Sequence, residues 1–290
     1  MKPRATLLLG PARAGKTARL VEQYAAACAA PAIPGGSPPR LGRTAWIAPT
    51  GAAAAEVCDA LAERLGGACL APGATTFAAF AAQLLTVARA RVRPLGPIES
   101  RRLVELAIAE ERAGGRLNYF AAVADSPGFA AQVAQFIAEA KRRDAWAEDL
   151  QKQARGPREQ ELARLYGRYQ RQLAAAGAFD AEGLFWAARD AAKRHSGLLD
   201  GLELVVVAGF HDFTAAQHDI LQLIAKKSAQ TAVELTLDEP TLAGDPDAAR
   251  ADLFAKSLAT RQALRDRIVC REELVAGGLG SSEWSPPGTA

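Results

Sequence analysis

Cysteine is scarce and not arranged for metal work. The four present (Cys28, Cys58, Cys69, Cys270) form no CxxC pair and no His/Cys cluster, which excludes the usual zinc and iron–sulfur frameworks. Free thiols of a reducing cytoplasm are the expectation. Histidine is scarcer still: His195, His211 and His218 are scattered and read as surface or capping residues. No apolar run approaches the ~18 residues of a membrane span, and the first ten residues lack the layout of a signal peptide, so neither membrane insertion nor export is expected. A one-sided charge is missing too. The net charge of +3 is too small to mark a nucleic-acid or membrane protein as a whole, so any DNA surface has to be local. There is no internal repeat.

What remains is a chain of 290 residues, 49% apolar and 23% charged, which suits a helix-rich globular protein with a sizeable core. "TLLL" (6–9) and "TAWIAP" (44–49) read as strands, each followed by a helical stretch, 16–30 and 51–66, with a Pro/Gly-rich loop at 31–43. "GATTFAAFAAQLLTVARAR" (73–91) reads as a short strand running into a helix. From 97 to 177 only helices are predicted. Ser126 caps one of them ahead of Pro127, with Phe129, Val133, Phe136, Ile137 and Ala140 on a single face. Another carries Leu162, Leu165, Tyr166, Tyr169 and Leu173 and closes at Gly177. Both stripes read as core. "KRR" (141–143) reads as positive charge at a helix end.

Strands return at "LELVVVAGF" (202–210), apolar enough to be buried on both faces of a parallel sheet, and at "TAVELTLDE" (231–239). Helices are expected at 214–227 and 246–264. Alternation of strand and helix on both sides of an all-helical block predicts an α/β fold carrying an inserted helical subdomain. The expected boundaries are 1–92 and 178–270 for the α/β domain, 93–177 for the insertion, and 271–290 for a disordered tail.

Residues 10–17, "GPARAGKT", match G-x-x-x-x-G-K-[ST] at every fixed position. Gly10 and Gly15 let the backbone turn so that its N–H groups converge on a phosphate at the positive end of the next helix. Lys16 reaches the β- and γ-phosphates, and Thr17 offers a hydroxyl to Mg²⁺. ATP and Mg²⁺ are therefore the expected ligands, held by Gly10, Gly15, Lys16 and Thr17. Arg13 reads as solvated.

A working P-loop motor also needs an acid at the end of a second parallel strand. The candidate strand ends in Ala208 and Gly209, which carry none. Asp212, four residues on, is the candidate rescue acid.

The order of these segments resembles the P-loop half of UvrD-like superfamily 1 helicases, and more closely the N-terminal region of the B subunit of bacterial AddAB/RexAB helicase–nucleases. "IAPTGAAAAEVCDALAERL" (47–65) is similar to the segment after the first crossover. "TTFAAFAAQLL" (75–85) resembles "TFHSFA", with Ala78 in place of histidine. "AFDAEGLFWAA" (178–188) resembles the phrase before the second acidic motif, and "AGFHDFTAAQ" (208–217) lies in register with "DEFQDTNPAQ". Asp212 and Gln217 match; the two acids have become Ala208 and Gly209. The resemblance implies a 1A-like P-loop domain with a 1B-like helical insertion, DNA-backbone contacts at Thr50 and Thr76, a partner subunit of the AddA/RexA type, and a role in DNA repair and recombination. Against the pattern, residues 1–290 show no adenine-reading glutamine segment, second motor domain or nuclease domain, which leaves a fragment and a shortened relative both open.

The most basic run, "ARARVRPLGPIESRR", supplies Arg89, Arg91 and Arg93 as candidate contacts to single-stranded DNA phosphates. Two function classes stand. One is a DNA-repair helicase–nuclease component that binds ATP and DNA with little hydrolase activity of its own. The other is a small-molecule P-loop enzyme, kinase-like, using Asp212 or Asp238.

Overall fold

A computed structural model describes residues 5–30, 41–66, 73–195, 197–244, 250 and 252–275. In chain order the elements are β1 (Ala5–Gly10), α1 (Lys16–Ala29), β2 (Thr44–Ala48), α2 (Gly51–Arg64), β3 (Ala74–Thr76), α3 (Phe77–Val87), β4 (Arg93–Pro94), α4 (Pro97–Ala113), α5 (Pro127–Arg142), α6 (Ala147–Gln153) and α7 (Pro157–Ala175). There follow β5 (Ala178–Phe179), α8 (Gly183–Arg194), β6 (Leu204–Val207), α9 (Ala215–Lys227), β7 (Gln230–Thr236), α10 (Glu239–Ala243), α11 (Ala255–Arg267) and β8 (Cys270–Leu274). Cys28, Cys58 and Cys270 form no disulfide among the described residues, and Cys69 lies outside them. No described helix is long and apolar enough to cross a membrane.

The chain divides into two compact units. The α/β unit comprises 1–76, 201–212 and 224–290 and contains a six-stranded sheet in the order β3-β2-β6-β7-β1-β8, parallel at every pairing. Its centre is dictated by composition. Leu204–Val207 is a run of Leu and Val with every residue buried, as a strand hydrogen-bonded on both sides and covered on both faces requires. On one face α1 lays down Leu20, Val21 and Tyr24, and α2 lays down Ala54, Val57 and Leu61, against Leu8, Trp46, Val206 and Ala232. Tyr24 and Trp46 meet edge to face at 5.5 Å. Fully buried Leu61 is the weak point of this layer: Leu61→Ala would cost about 2–5 kcal/mol.

The helical unit comprises 77–200 and 213–223. The segments 77–92, 178–200 and 213–223, expected with the α/β domain, group here, beyond the 93–177 block. Ser126 caps α5 by accepting from the Phe129 N–H, ahead of Pro127, as its sequence predicts. Phe129, Val133, Ile137 and Ala140 from α5 interlock with Leu165, Tyr166, Tyr169 and Leu173 from α7, while Phe136 and Leu162 pack at the margin. A two-residue parallel ribbon, β4 with β5, ties Arg93–Pro94 to Ala178–Phe179.

Three buried acids hold the helical unit together. Asp180 accepts from Lys141 (2.7 and 2.8 Å), from the Tyr169 hydroxyl (2.8 Å) and from the Gly183 N–H (2.7 Å). Glu161 accepts from the successive N–H groups of Asn118, Tyr119 and Phe120. Glu111 takes Arg116 and Arg168. Lys141 is thus a core residue and not, as the "KRR" run suggested, surface charge at a helix end. Burial lowers its pKa and Asp180 counters that. Only Arg142 and Arg143 fit the helix-end reading, and both pair with Glu139 one turn back.

Two further differences from the sequence reading concern 230–275. The helix expected over 246–264 is α11 at 255–267, with the short α10 before it; residues 245–249 and 251 lie outside those described. Residues 271–274, counted with the tail, belong to β8, an edge strand parallel to β1.

Candidate functional site

In an all-parallel sheet every strand ends on one edge, and the chemistry gathers outside that edge. Here the edge carries Gly10 of β1, Ala48 of β2, Thr76 of β3, Val207 of β6 and Thr236 of β7. A cleft of about 960 Å³ opens there, lined among others by Pro11, Ala12, Pro49, Gly209, Asp212 and Asp238.

The loop 10–15 leads from β1 directly into α1. Gly10 has no room for a side chain: an added Cβ would lie 2.5 Å from the Val275 carbonyl oxygen, at the end of β8. Gly15, the N-cap of α1, sits at φ 82°, ψ 8°, in the left-handed region that glycine enters without strain. As a glycine it has no side chain to cap the helix, so the first N–H groups of α1 are not claimed by one. Arg13 is exposed at φ 61°.

Lys16 is only 3% exposed. Its ammonium donates to the carbonyls of Gly10 (2.9 Å) and Pro11 (2.6 Å) at the mouth of the loop. Thr17, on the open side of α1, donates its hydroxyl to both oxygens of Glu234 at 3.2 Å. A Glu234 oxygen also lies 3.8 Å from the Lys16 nitrogen. Burial lowers the Lys16 pKa and raises that of Glu234; each charge partly restores the other, and Thr17 assists Glu234.

Sequence reasoning missed Glu234. It stands on β7, which pairs with β1 so that Glu234 lies opposite Leu8. The signal was present: within "TAVELTL" a single acid occupies an otherwise apolar or hydroxyl-bearing strand, two residues short of its end. What the sequence alone did not supply is that this strand lies beside the phosphate loop, because that neighbour relation is non-local.

The other predicted residues divide. Gly10, Gly15, Lys16 and Thr17 come together in the loop and first turn. Thr50 lies on the same sheet edge and is exposed, and its hydroxyl caps α2 by accepting from the Ala53 N–H at 3.1 Å. Thr76 is half-buried at the end of β3, opposite Ala48. Gly209 follows β6 at φ 83° against Pro49, and Ala208 is buried, so the β6 tip presents no acid. Asp212 faces the cleft, is largely exposed, and pairs with Lys256 at 3.1 Å. Asp238 caps α10 by accepting from the Thr241 N–H at 3.0 Å and lies 3.4 Å from Arg250; Thr241 above all, with Arg250, holds its carboxyl below the usual range. Gln217 forms a reciprocal cap with Thr214 at the start of α9.

Arg89, Arg91 and Arg93 belong to the helical unit and are exposed. Arg93 pairs with Glu99 at 3.1 Å. Arg101 and Arg102 both pair with Glu105. Arg89 closes α3 at φ 52°, and neither it nor Arg91 forms an ion pair among the described residues.

An ATP·Mg²⁺ ligand fits these residues. The loop offers backbone N–H groups at a helix start, a cation two carbonyls away from release, and a hydroxyl backed by a carboxylate. A search of curated proteins finds no match to this chain. A family model described as "ADDB, N-terminal" matches residues 93–275, more than half of the chain, and the protein therefore belongs to the family of AddB N-terminal regions.

Proposed function

We propose that this protein is the helicase-like N-terminal part of an AddB/RexB-type subunit, acting in DNA double-strand-break repair by holding ATP·Mg²⁺ while hydrolysing it little or not at all. One observation carries the reading: a complete phosphate-loop sequence follows β1, while the tip of β6, separated from β1 by β7 on the same sheet edge, is Ala208–Gly209 and bears no acid. In this reading the α/β unit corresponds to a superfamily 1 1A domain and the helical unit to its 1B insertion. Lys16 holds phosphate oxygens, Thr17 takes the cation, and Arg89, Arg91 and Arg93, with Thr50 and Thr76, are the candidate contacts to single-stranded DNA. An AddA/RexA-like subunit is the expected partner.

Hydrolysis requires a fixed metal, an aligned water and positive charge at the leaving oxygens. Asp212, the candidate rescue acid, is occupied by Lys256 at the cleft rim, and Asp238 by its cap and Arg250. Losing one well-placed electrostatic group costs about 10²–10³ in rate. The expected outcome in a phosphate-release assay with single-stranded DNA is near-background turnover, together with clear binding of a fluorescent ATP analogue. Lys16→Ala should weaken that binding about 10- to 100-fold, the worth of hydrogen bonds to a charged group. Equal binding by wild type and Lys16→Ala would overturn the nucleotide assignment. Turnover of about 1 s⁻¹ or faster, abolished by Lys16→Ala, would mean a working motor.

A further inference from the structure

Glu234 needs an explanation that its own strand does not give. Its neighbours Ala232, Val233, Leu235 and Leu237 are buried apolar residues, and Glu234 is itself buried. A buried carboxylate costs several kcal/mol unless donors surround it. Among the described residues its hydrogen-bond donor is a single hydroxyl, that of Thr17, with Lys16 at the longer distance of 3.8 Å. Both partners are the functional residues of the phosphate loop. Side chains 232, 234 and 236 share one face of β7. On that face Ala232 packs into the layer under α1 and α2, Thr236 lines the cleft, and Glu234 lies between them, under the first turn of α1.

The direction of the Thr17 hydrogen bond matters. A threonine oxygen that gives its proton to a carboxylate keeps its lone pairs for a cation; the same oxygen with no acceptor is free to rotate. Resting on the ATP·Mg²⁺ reading above, we propose that Glu234 is the positioning acid for the magnesium side of this site, supplied by β7 in place of the missing acid at the tip of β6. It accepts the Thr17 O–H, points that oxygen at Mg²⁺, and adds a negative charge near the cation. It lies on the strand beside β1, two residues below the cleft, and so supplies nothing to orient an attacking water. Tight magnesium-dependent binding and slow turnover are therefore compatible in one site.

The plainer account is that Glu234 only balances Lys16. The two accounts differ in how nucleotide affinity depends on magnesium. The experiment is calorimetric titration of the full chain with ATP, once in excess MgCl₂ and once in EDTA, for wild type, Glu234→Gln, Thr17→Val and the double variant. Positioning by Glu234 predicts that the affinity gain from Mg²⁺ falls about tenfold or more in Glu234→Gln, the usual cost of removing a group that orients a metal ligand. Affinity in EDTA should be kept or improved, and the double variant should resemble Thr17→Val alone. A pure counter-ion would instead change affinity equally in both buffers, leave the Mg²⁺ gain intact and add to Thr17→Val; that outcome overturns the proposal. Thermal unfolding checks that Glu234→Gln folds, and should it not, the Mg²⁺ gain in Thr17→Val alone decides: an undiminished gain refutes the role. Wild-type chain that binds ATP in neither buffer would reject the nucleotide reading itself, a result distinct from either outcome for Glu234.

Discussion

In the helical unit each buried acid is ringed by donors. Asp180 has a lysine, a tyrosine and a backbone N–H; Glu161 has three N–H groups in succession; Glu111 has two arginines. In the α/β unit Glu234 has one hydroxyl and a lysine beyond hydrogen-bonding range, and that lysine is held by two loop carbonyls. The first pattern is a completed network, in which buried charge fixes one packing. The second has fewer partners, both of them residues of the first turn of α1, which is the observation behind the role proposed for Glu234. Buried charge alone marks neither structure nor function; the degree to which it is satisfied separates them.

The largest effect that would break this contrast is at Asp180. Asp180→Ala leaves Lys141 buried without its hydrogen-bonded counter-charge and should destabilise the protein by about 3–5 kcal/mol in urea unfolding. Lys141→Met with Asp180→Leu should recover the part of that loss due to the buried charge, and not the part due to the Tyr169 hydroxyl and Gly183 N–H left without an acceptor. A penalty under about 1 kcal/mol would show that the network is not structural.

Next comes Glu111. Burial would raise its pKa, but Arg116 and Arg168 outweigh burial and hold it below the ordinary 4.5. A carboxyl depressed in the folded state contributes stability that is complete above the unfolded value and is lost as pH falls through the folded one. Glu111→Gln should therefore cost about 1.5–3 kcal/mol at pH 7, and the deficit should narrow below about pH 4 as the wild-type group protonates. Chemical denaturation across pH 3–7 tests this; a deficit independent of pH would assign the loss to packing and not to charge.

The smallest effect sharpens the same contrast on the surface. Arg93, Arg101 and Arg102 are matched by Glu99 and Glu105, whereas Arg89 and Arg91 form no ion pair among the described residues. If the latter two touch single-stranded DNA, replacing both by alanine should lower the log–log salt slope by about 1.4, with little further change on adding Arg93→Ala. An unchanged slope would remove this patch from any DNA surface.

Local signals were legible in the sequence and non-local ones were not. The phosphate loop, the Ser126–Pro127 start of α5 and the α7 stripe each depend on residues within a few positions of one another. β6 announced itself through an unbroken apolar run. Other features depend on partners far along the chain. Lys141 looked like helix-end charge because Asp180 comes thirty-nine residues later. Glu234 looked like an ordinary strand residue because Thr17 comes 217 earlier. β8 reads "CREEL", too polar to announce a strand, and only an edge position beside β1 accommodates it.

The placement of β1 between β7 and β8 also sets the order in which the molecule can form. Ala5 pairs with Thr231 on one side and with Cys270 on the other, so the strand that leads into loop 10–15 has no neighbour until residues 230–236 have been synthesised, and lacks its second until 270–274. The helical unit draws most of its residues from the continuous stretch 77–200 and can close over short loops much earlier. During synthesis Leu7, Leu8 and Leu9 must wait, apolar and unpaired, while the helices behind them fold; loop 10–15 is among the first segments made, yet the strands that flank β1 come only after the helical stretch.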